Sequence, residues 1–94
     1  MTRNIMTGEG VKPVEAVTEF EVSGIKLFTH LDDWGDWRAT EYSSGFSVGF
    51  GSDNEDGAMG VSKAIIANHG PDRMRMKIAM MIARCGVANE EGKV

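Results

Sequence analysis

Between Pro71 and Val87 the chain reads PDRMRMKIAMMIARCGV, a helix-patterned run with more apolar surface than a small domain can hide. At about 100° per residue, Met74, Ile78, Met81, Ile82 and Cys85 share one arc, while Met76, Ala79, Met80 and Ala83 form a second. Arg73, Lys77 and Arg84 line a narrow basic stripe between the two arcs, and Arg75 lies roughly opposite that stripe. One arc can face the chain's own core. The other is left for a partner.

Ninety-four residues suffice for one modest core of about two layers and are too few for two independent domains. A hydrophobic content of 41% with 26% charged residues is that of a folded chain, which argues against wholesale disorder. Cys85 is the lone cysteine, so no intrachain disulfide can form, and its place on the first arc reads as that of a small buried hydrophobe. The first residues, MTRNIMTGEGVKPVEAV, lack the apolar run of a signal peptide, and no segment approaches the length of a membrane span. A soluble protein of a reducing cytoplasm is the expectation.

The net charge of −4 divides unevenly: residues 1–57 hold 11 acidic and 4 basic side chains, whereas 58–94 hold 3 acidic and 6 basic. Such a division is a consequence either of helices rich in Lys and Arg or of a dipolar surface whose acidic side meets basic proteins.

Residues 1–16, with Gly8, Gly10 and Pro13 and no clear apolar period, read as a flexible N-terminal arm ahead of one domain over 17–94. TEFEV at 18–22 alternates, with Phe20 and Val22 on one face. Ser23-Gly24 supplies a tight turn or a bulge, and Ile25, Leu27, Thr29 and Leu31 then alternate with Lys26, Phe28 and His30. The loop Asp32 to Trp37 leads to a third extended segment, and Ser43-Ser44-Gly45 signals a hairpin into Phe46, Val48 and Phe50. The bare glycine face of this last segment either admits a helix or a partner backbone or simply relieves crowding. Ser52 or Asp53 can cap a helix over about 54–68 whose apolar face is Ala58, Val61, Ala64 and Ile65. Gly70 and Pro71 separate it from the second helix, which Gly86 and the polar tail ANEEGKV terminate. The predicted fold is α+β: an antiparallel sheet of three or four strands packed on one face by two C-terminal helices. Its expected core is Phe20, Ile25, Leu27, Phe46, Val48, Phe50, Val61, Ile65, Met74, Ile78 and Ile82.

No set of catalytic residues can be assembled from this sequence. Ser52, Asn54, Asp56 and Gly57 imitate half of a calcium loop, but Lys63 stands where the bidentate Glu belongs. His30 and His69 lack ligand spacing with Cys85, and GFSVGFGS has the wrong spacing for a phosphate loop, so no metal and no cofactor is expected. The acidic balance argues against direct nucleic-acid binding. Asp32, Asp33 and Asp36 around Trp34 read as a solvated loop rather than an acid–base pair, and an aromatic anchor ringed by charge is a common hot-spot arrangement. Of the two tryptophans, Trp37 is expected in the core.

The progression YSSGFSVGFGSDNEDGAMGVSKAI resembles the small α+β layouts of short bacteriophage proteins, anti-CRISPR proteins among them. The hairpin followed by an acid-capped helix with Ala58, Val61, Ala64 and Ile65 is also similar to HicB-like antitoxins. What the first resemblance implies is stoichiometric occlusion of a host CRISPR–Cas complex in the bacterial cytoplasm by protein contact. What the second implies is a toxin partner and a homodimer. Two contact surfaces are expected on either view: the loop with Asp32, Asp33, Trp34 and Asp36, and the helical face with Arg73, Met76, Lys77, Met80 and Arg84.

Overall fold

In the computed structural model, which describes residues 1–90, five strands precede two helices. Strands β1 (Thr2–Thr7) and β2 (Gly10–Glu15) form a two-stranded antiparallel hairpin, and β3 (Glu19–Val22), β4 (Ile25–Leu31) and β5 (Trp37–Glu41) form an antiparallel sheet in that order. Helices α1 (Glu55–His69) and α2 (Pro71–Cys85) follow. The α+β class and the two C-terminal helices agree with the sequence pattern.

Ser23 and Gly24 both take positive φ, 53° and 80°, between the paired residues Val22 and Ile25. They form a two-residue hairpin turn, whose handedness matches the strand twist, and not a bulge. After β5 the chain turns back through Ser43-Ser44-Gly45 and runs along β5 again. It is held only by bridges at Thr40 and Ser47 and at Trp37 and Ser52, so the fourth strand is broken rather than regular. Gly49 explains the break: it has φ 101°, and a Cβ there would lie 2.6 Å from Val61 Cγ1. The bare position lets α1 lie close, and the kink turns Phe50 outward to 70% exposure, out of its expected place in the core. Phe46 and Trp37 are half-buried.

Both faces of the central strand are covered. Ile25 and Leu27 of β4 pack with Ala39, Val48, Ile66 and Met74 under the helices, with Phe20, Val22, Ile65 and Ile78 at the margin. Phe28, pointing the other way, packs with Tyr42 and Ala16, and Ile5 and Val14 of the hairpin close over them. Residues 1–16 are therefore a structural layer and not a flexible arm. The reason lies in the pairing: Arg3 opposes Val14 and Ile5 opposes Lys12, so one hairpin face carries two aliphatic residues with a cation beside each. The aliphatics land on Phe28 and Tyr42. Arg3 donates to Glu19 at 2.7 Å and Lys12 to Asp33 at 3.0 Å, pinning the hairpin at both ends.

Asn54 rather than Ser52 or Asp53 caps α1, its side-chain oxygen accepting from the Gly57 amide at 2.7 Å. The buried face of α1 is Ala58, Ser62 and Ile66, rotated from the expected stripe so that Ala64 is exposed and Val61 and Ile65 are partly covered. Ser62 is tolerated there because its hydroxyl donates to the Met59 carbonyl within the helix, at 2.8 Å.

The tail beyond Gly86 is also part of the fold. Ala88 is buried, and Asn89 donates to the carbonyls of Asn4 and Tyr42, each at 2.8 Å, while accepting from the Asn4 amide at 2.9 Å. Asn4 returns a bond to the Ala88 carbonyl at 3.1 Å. This exchange ties the N-terminal hairpin, the end of β5 and the C-terminal segment together; residues 91–94 of the tail lie outside the described residues. Asn89→Ala removes three of these bonds, and we expect a loss of about 1–3 kcal/mol in urea unfolding with faster amide exchange in β1. Unchanged stability and exchange would mean that the clamp does not hold the hairpin.

Candidate protein-binding surface

Helix α2 starts from Gly70, whose φ of 89° and ψ of 136° no helical residue shares, and from Pro71, which suits the first helical turn. Its inner arc docks: Met74 is buried, and Ile78, Met81 and Ile82 are partly covered. Arg75, opposite the basic stripe, donates to the Ser23 carbonyl in the β3–β4 turn and to Asp72, and so fastens the helix to the sheet. Inner-arc coverage stops at Ile82, leaving Cys85 exposed rather than buried as its arc predicts.

The outer arc is bare. Met76 is 67% and Met80 55% exposed, and Ala79 and Ala83 beside them are exposed as well. Arg73, Lys77 and Arg84 are all exposed, and their side chains form no ion pair or hydrogen bond with any described residue. His69, Arg73, Met76, Lys77 and Met80 border a shallow groove of about 460 Å³, and Lys77, Met80, Met81 and Arg84 border a second recess of about 160 Å³. The five α2 residues expected to meet a partner are thus brought onto one continuous cationic and thioether surface.

The acidic loop has a different character. Asp32 Oδ1 accepts from the amides of Trp34 and Asp36, both at 2.9 Å, and Oδ2 accepts from Arg38 Nε at 2.8 Å. The Arg38 hydrogen bond, with the two amides behind it, holds the Asp32 carboxyl below its ordinary pKa. Asp33 is engaged by Lys12, and Asp36 is half-buried with its backbone bonded to Asp32. Of the charges that were to ring the loop, Asp32 is bound within it and Asp33 is paired with Lys12 at the surface. What the loop presents is Trp34, 87% exposed on a turn braced from within.

Trp34 stands at the mouth of a cleft of about 230 Å³ between the hairpin and the sheet, which also contains His30, Asp32, Asp33, Arg38 and Thr40. Sequence separation hid the closeness of His30 and Thr40; their pairing follows from register, since His30 opposes Arg38 and Thr40 opposes Phe28 on the same face. The buried His30 ring donates from Nδ1 to the Leu31 carbonyl at 3.1 Å, and its Nε2 accepts from the Thr40 hydroxyl at 2.7 Å. This assignment follows because a carbonyl can only accept. Burial pushes the imidazole below its usual pKa, against the pull of the Leu31 carbonyl and the Asp32 charge. Both ring nitrogens of His30 and both oxygens of Asp32 are engaged within the fold. The cleft lies on the hairpin side of the sheet and α2 on the other, so the two expected contacts do not make one surface.

Among the described residues, no group of three or more His, Cys, Asp or Glu side chains could hold a metal ion, and no helix is long and apolar enough to cross a membrane. No family model matches the sequence, and no curated protein or solved structure matches it. What the surface does must be argued from its chemistry.

The His30 pair has a pH consequence. The unfolded imidazole titrates near pH 6.5, and the folded one lower, so below about pH 6.5 the unfolded chain binds more protons. Stability is full above that value and falls as pH drops towards the folded pKa. Glu19, Glu55 and Asp32, whose pKa values are lowered, add losses only below about pH 4.5. Urea midpoints measured from pH 7.5 to 5 should therefore decline in the wild type and lie nearly flat in His30→Gln; equal slopes would remove His30 as the cause.

Proposed function

We propose that this protein is a non-enzymatic inhibitor that acts by stoichiometric contact with a protein target, and that the outer face of α2 makes the contact. The observation that carries the reading is the exposed Met76 and Met80 pair framed by Arg73, Lys77 and Arg84. Methionine is flexible and polarisable and shapes itself to a partner, while Arg is enriched at interface hot spots. The exposed, unpaired cations do not fit a core. Trp34 on its braced loop offers a second anchor on the far side of the sheet, with little conformational entropy to lose.

The resemblance in size and layout to anti-CRISPR proteins selects the first targets to try, host CRISPR–Cas complexes, in which occlusion of one subunit surface would suffice. A homodimeric, antitoxin-like protein is the alternative for the same methionines. Met80→Asp separates them, because a charge at the centre of a packed contact weakens it by about 2 kcal/mol or more, roughly 30-fold. In cells whose CRISPR–Cas system restricts a phage, expression of the wild-type chain should restore plaque formation, and Met80→Asp, being at an exposed site, should abolish that effect without lowering the melting temperature. A panel of CRISPR–Cas types left fully active by the wild-type protein would reject the anti-CRISPR assignment. A light-scattering mass near twice 10.2 kDa that Met80→Asp halves would assign the face to a homodimer instead.

A further inference from the structure

We propose that the occupant of the outer face of α2 is an acidic amphipathic helix belonging to the target protein. The inference rests on the inhibitor reading for its role in the cell, but the surface argument stands on the geometry of α2. From Arg73 to Arg84 the exposed side chains Met76, Lys77 and Met80 recur at helical spacings of three and four, giving a straight stripe about 16 Å long. A second helix laid along such a stripe meets it with its own residues at the same spacings. At the centre it needs Leu, Ile or Phe to cover the thioethers. Along one margin it needs Glu or Asp to meet Arg73, Lys77 and Arg84.

Charge decides between the occupants. Among the described residues no carboxylate lines either recess on this face, and Asp72, the one acidic residue of α2, is already bonded to Arg75. A second copy packed through its own α2 would therefore bring cations against cations with no anion to offset them, which costs affinity directly. A nucleic-acid strand would satisfy the cations but leave Met76 and Met80 against phosphate and sugar. An acidic helix satisfies both. The rest of the chain favours the same choice: residues 1–57 carry a large excess of acid, so an acidic partner is repelled elsewhere and steered to α2.

The test uses the full chain and two blocked 18-residue helical peptides, one with a Leu face flanked by Glu and the other identical but flanked by Lys. Methionine methyl resonances are the readout. The Glu peptide should move the Met76 and Met80 signals, leave those of Met6 and Met59 in place, and lose about tenfold in affinity between 50 and 500 mM salt. The double variant Arg73→Glu, Lys77→Glu, both at exposed positions, should reverse the preference to the Lys peptide with the circular dichroism spectrum unchanged. Equal binding of both peptides, binding of neither, or shifts confined to Trp34 and its cleft would overturn the proposal. So would displacement of the Glu peptide by higher concentrations of the protein itself, or stronger shifts with single-stranded oligonucleotide. Plaque restoration and peptide docking are separate readouts: docking without restoration rejects the CRISPR–Cas target and leaves the acidic-helix occupant standing. Restoration without docking rejects the occupant alone.

Discussion

Leu27 and Phe28 are neighbours on β4 that point to opposite sides of the sheet, and neither touches solvent. Fully burying a side chain of this kind stabilises by about 1.5–3 kcal/mol relative to exposure, so a sheet with both faces apolar needs two separate covers. The helices supply one. The N-terminal hairpin supplies the other, because Ile5 and Val14 fall on its inner face and its cations find Glu19 and Asp33. Every later feature follows from this double burial: the hairpin must be retained, and the Asn4–Asn89 exchange that retains it draws the C-terminal segment into the fold.

Polar groups enter this interior in pairs that join elements. The Thr29 hydroxyl donates to Glu55 at 2.6 Å, linking the central strand to the first turn of α1, where a negative charge also suits the helix dipole. His30 and Thr40 join β4 to β5 beneath the hairpin. Glu41, nearly buried, accepts from the amides of Ser43 and Ser44 and from the Ser43 hydroxyl, and so builds the turn that aims the chain towards Gly49 and α1. No buried side-chain nitrogen or oxygen of the described residues is left without a partner. Satisfied pairs of this sort cost little once made and are expensive to break, which gives the small core one packing solution.

The two faces of the sheet differ in what they leave over. On the hairpin side Arg3, Lys12 and Arg38 are paired with Glu19, Asp33 and Asp32, and Trp34 is the most exposed of the large apolar side chains. On the helix side α2 is fastened by Met74 and Arg75 along one edge, and its remaining circumference keeps both its thioethers and its cations. The outer face of α2, with Met76 and Met80 exposed beside Arg73, Lys77 and Arg84, is the surface on which the proposed binding role rests.

Local pattern alone determined the alternation of β3 and β4, the extents of both helices to within a residue or two and the two arcs of α2, because period and turn chemistry are properties of neighbouring residues; whether Ser23-Gly24 was a turn or a bulge was decided by the pairing of Val22 with Ile25. Local pattern could not reveal that residues 1–16 form a layer. Thr7-Gly8-Glu9-Gly10 is a turn signal, but Ile5 and Val14 supply too few apolar positions to stand out until Phe28 and Tyr42 are placed beneath them. Nor could it show that Asp32 and Asp33 are paired, since Arg38 and Lys12 reach them only through the register of β4 on β5 and the docking of the hairpin. Asn89 reads as part of a polar tail, and Cys85 as a core residue. Only the tertiary structure decided those two, because the first depends on where distant backbone carbonyls come to rest and the second on how far along α2 the sheet extends beneath it.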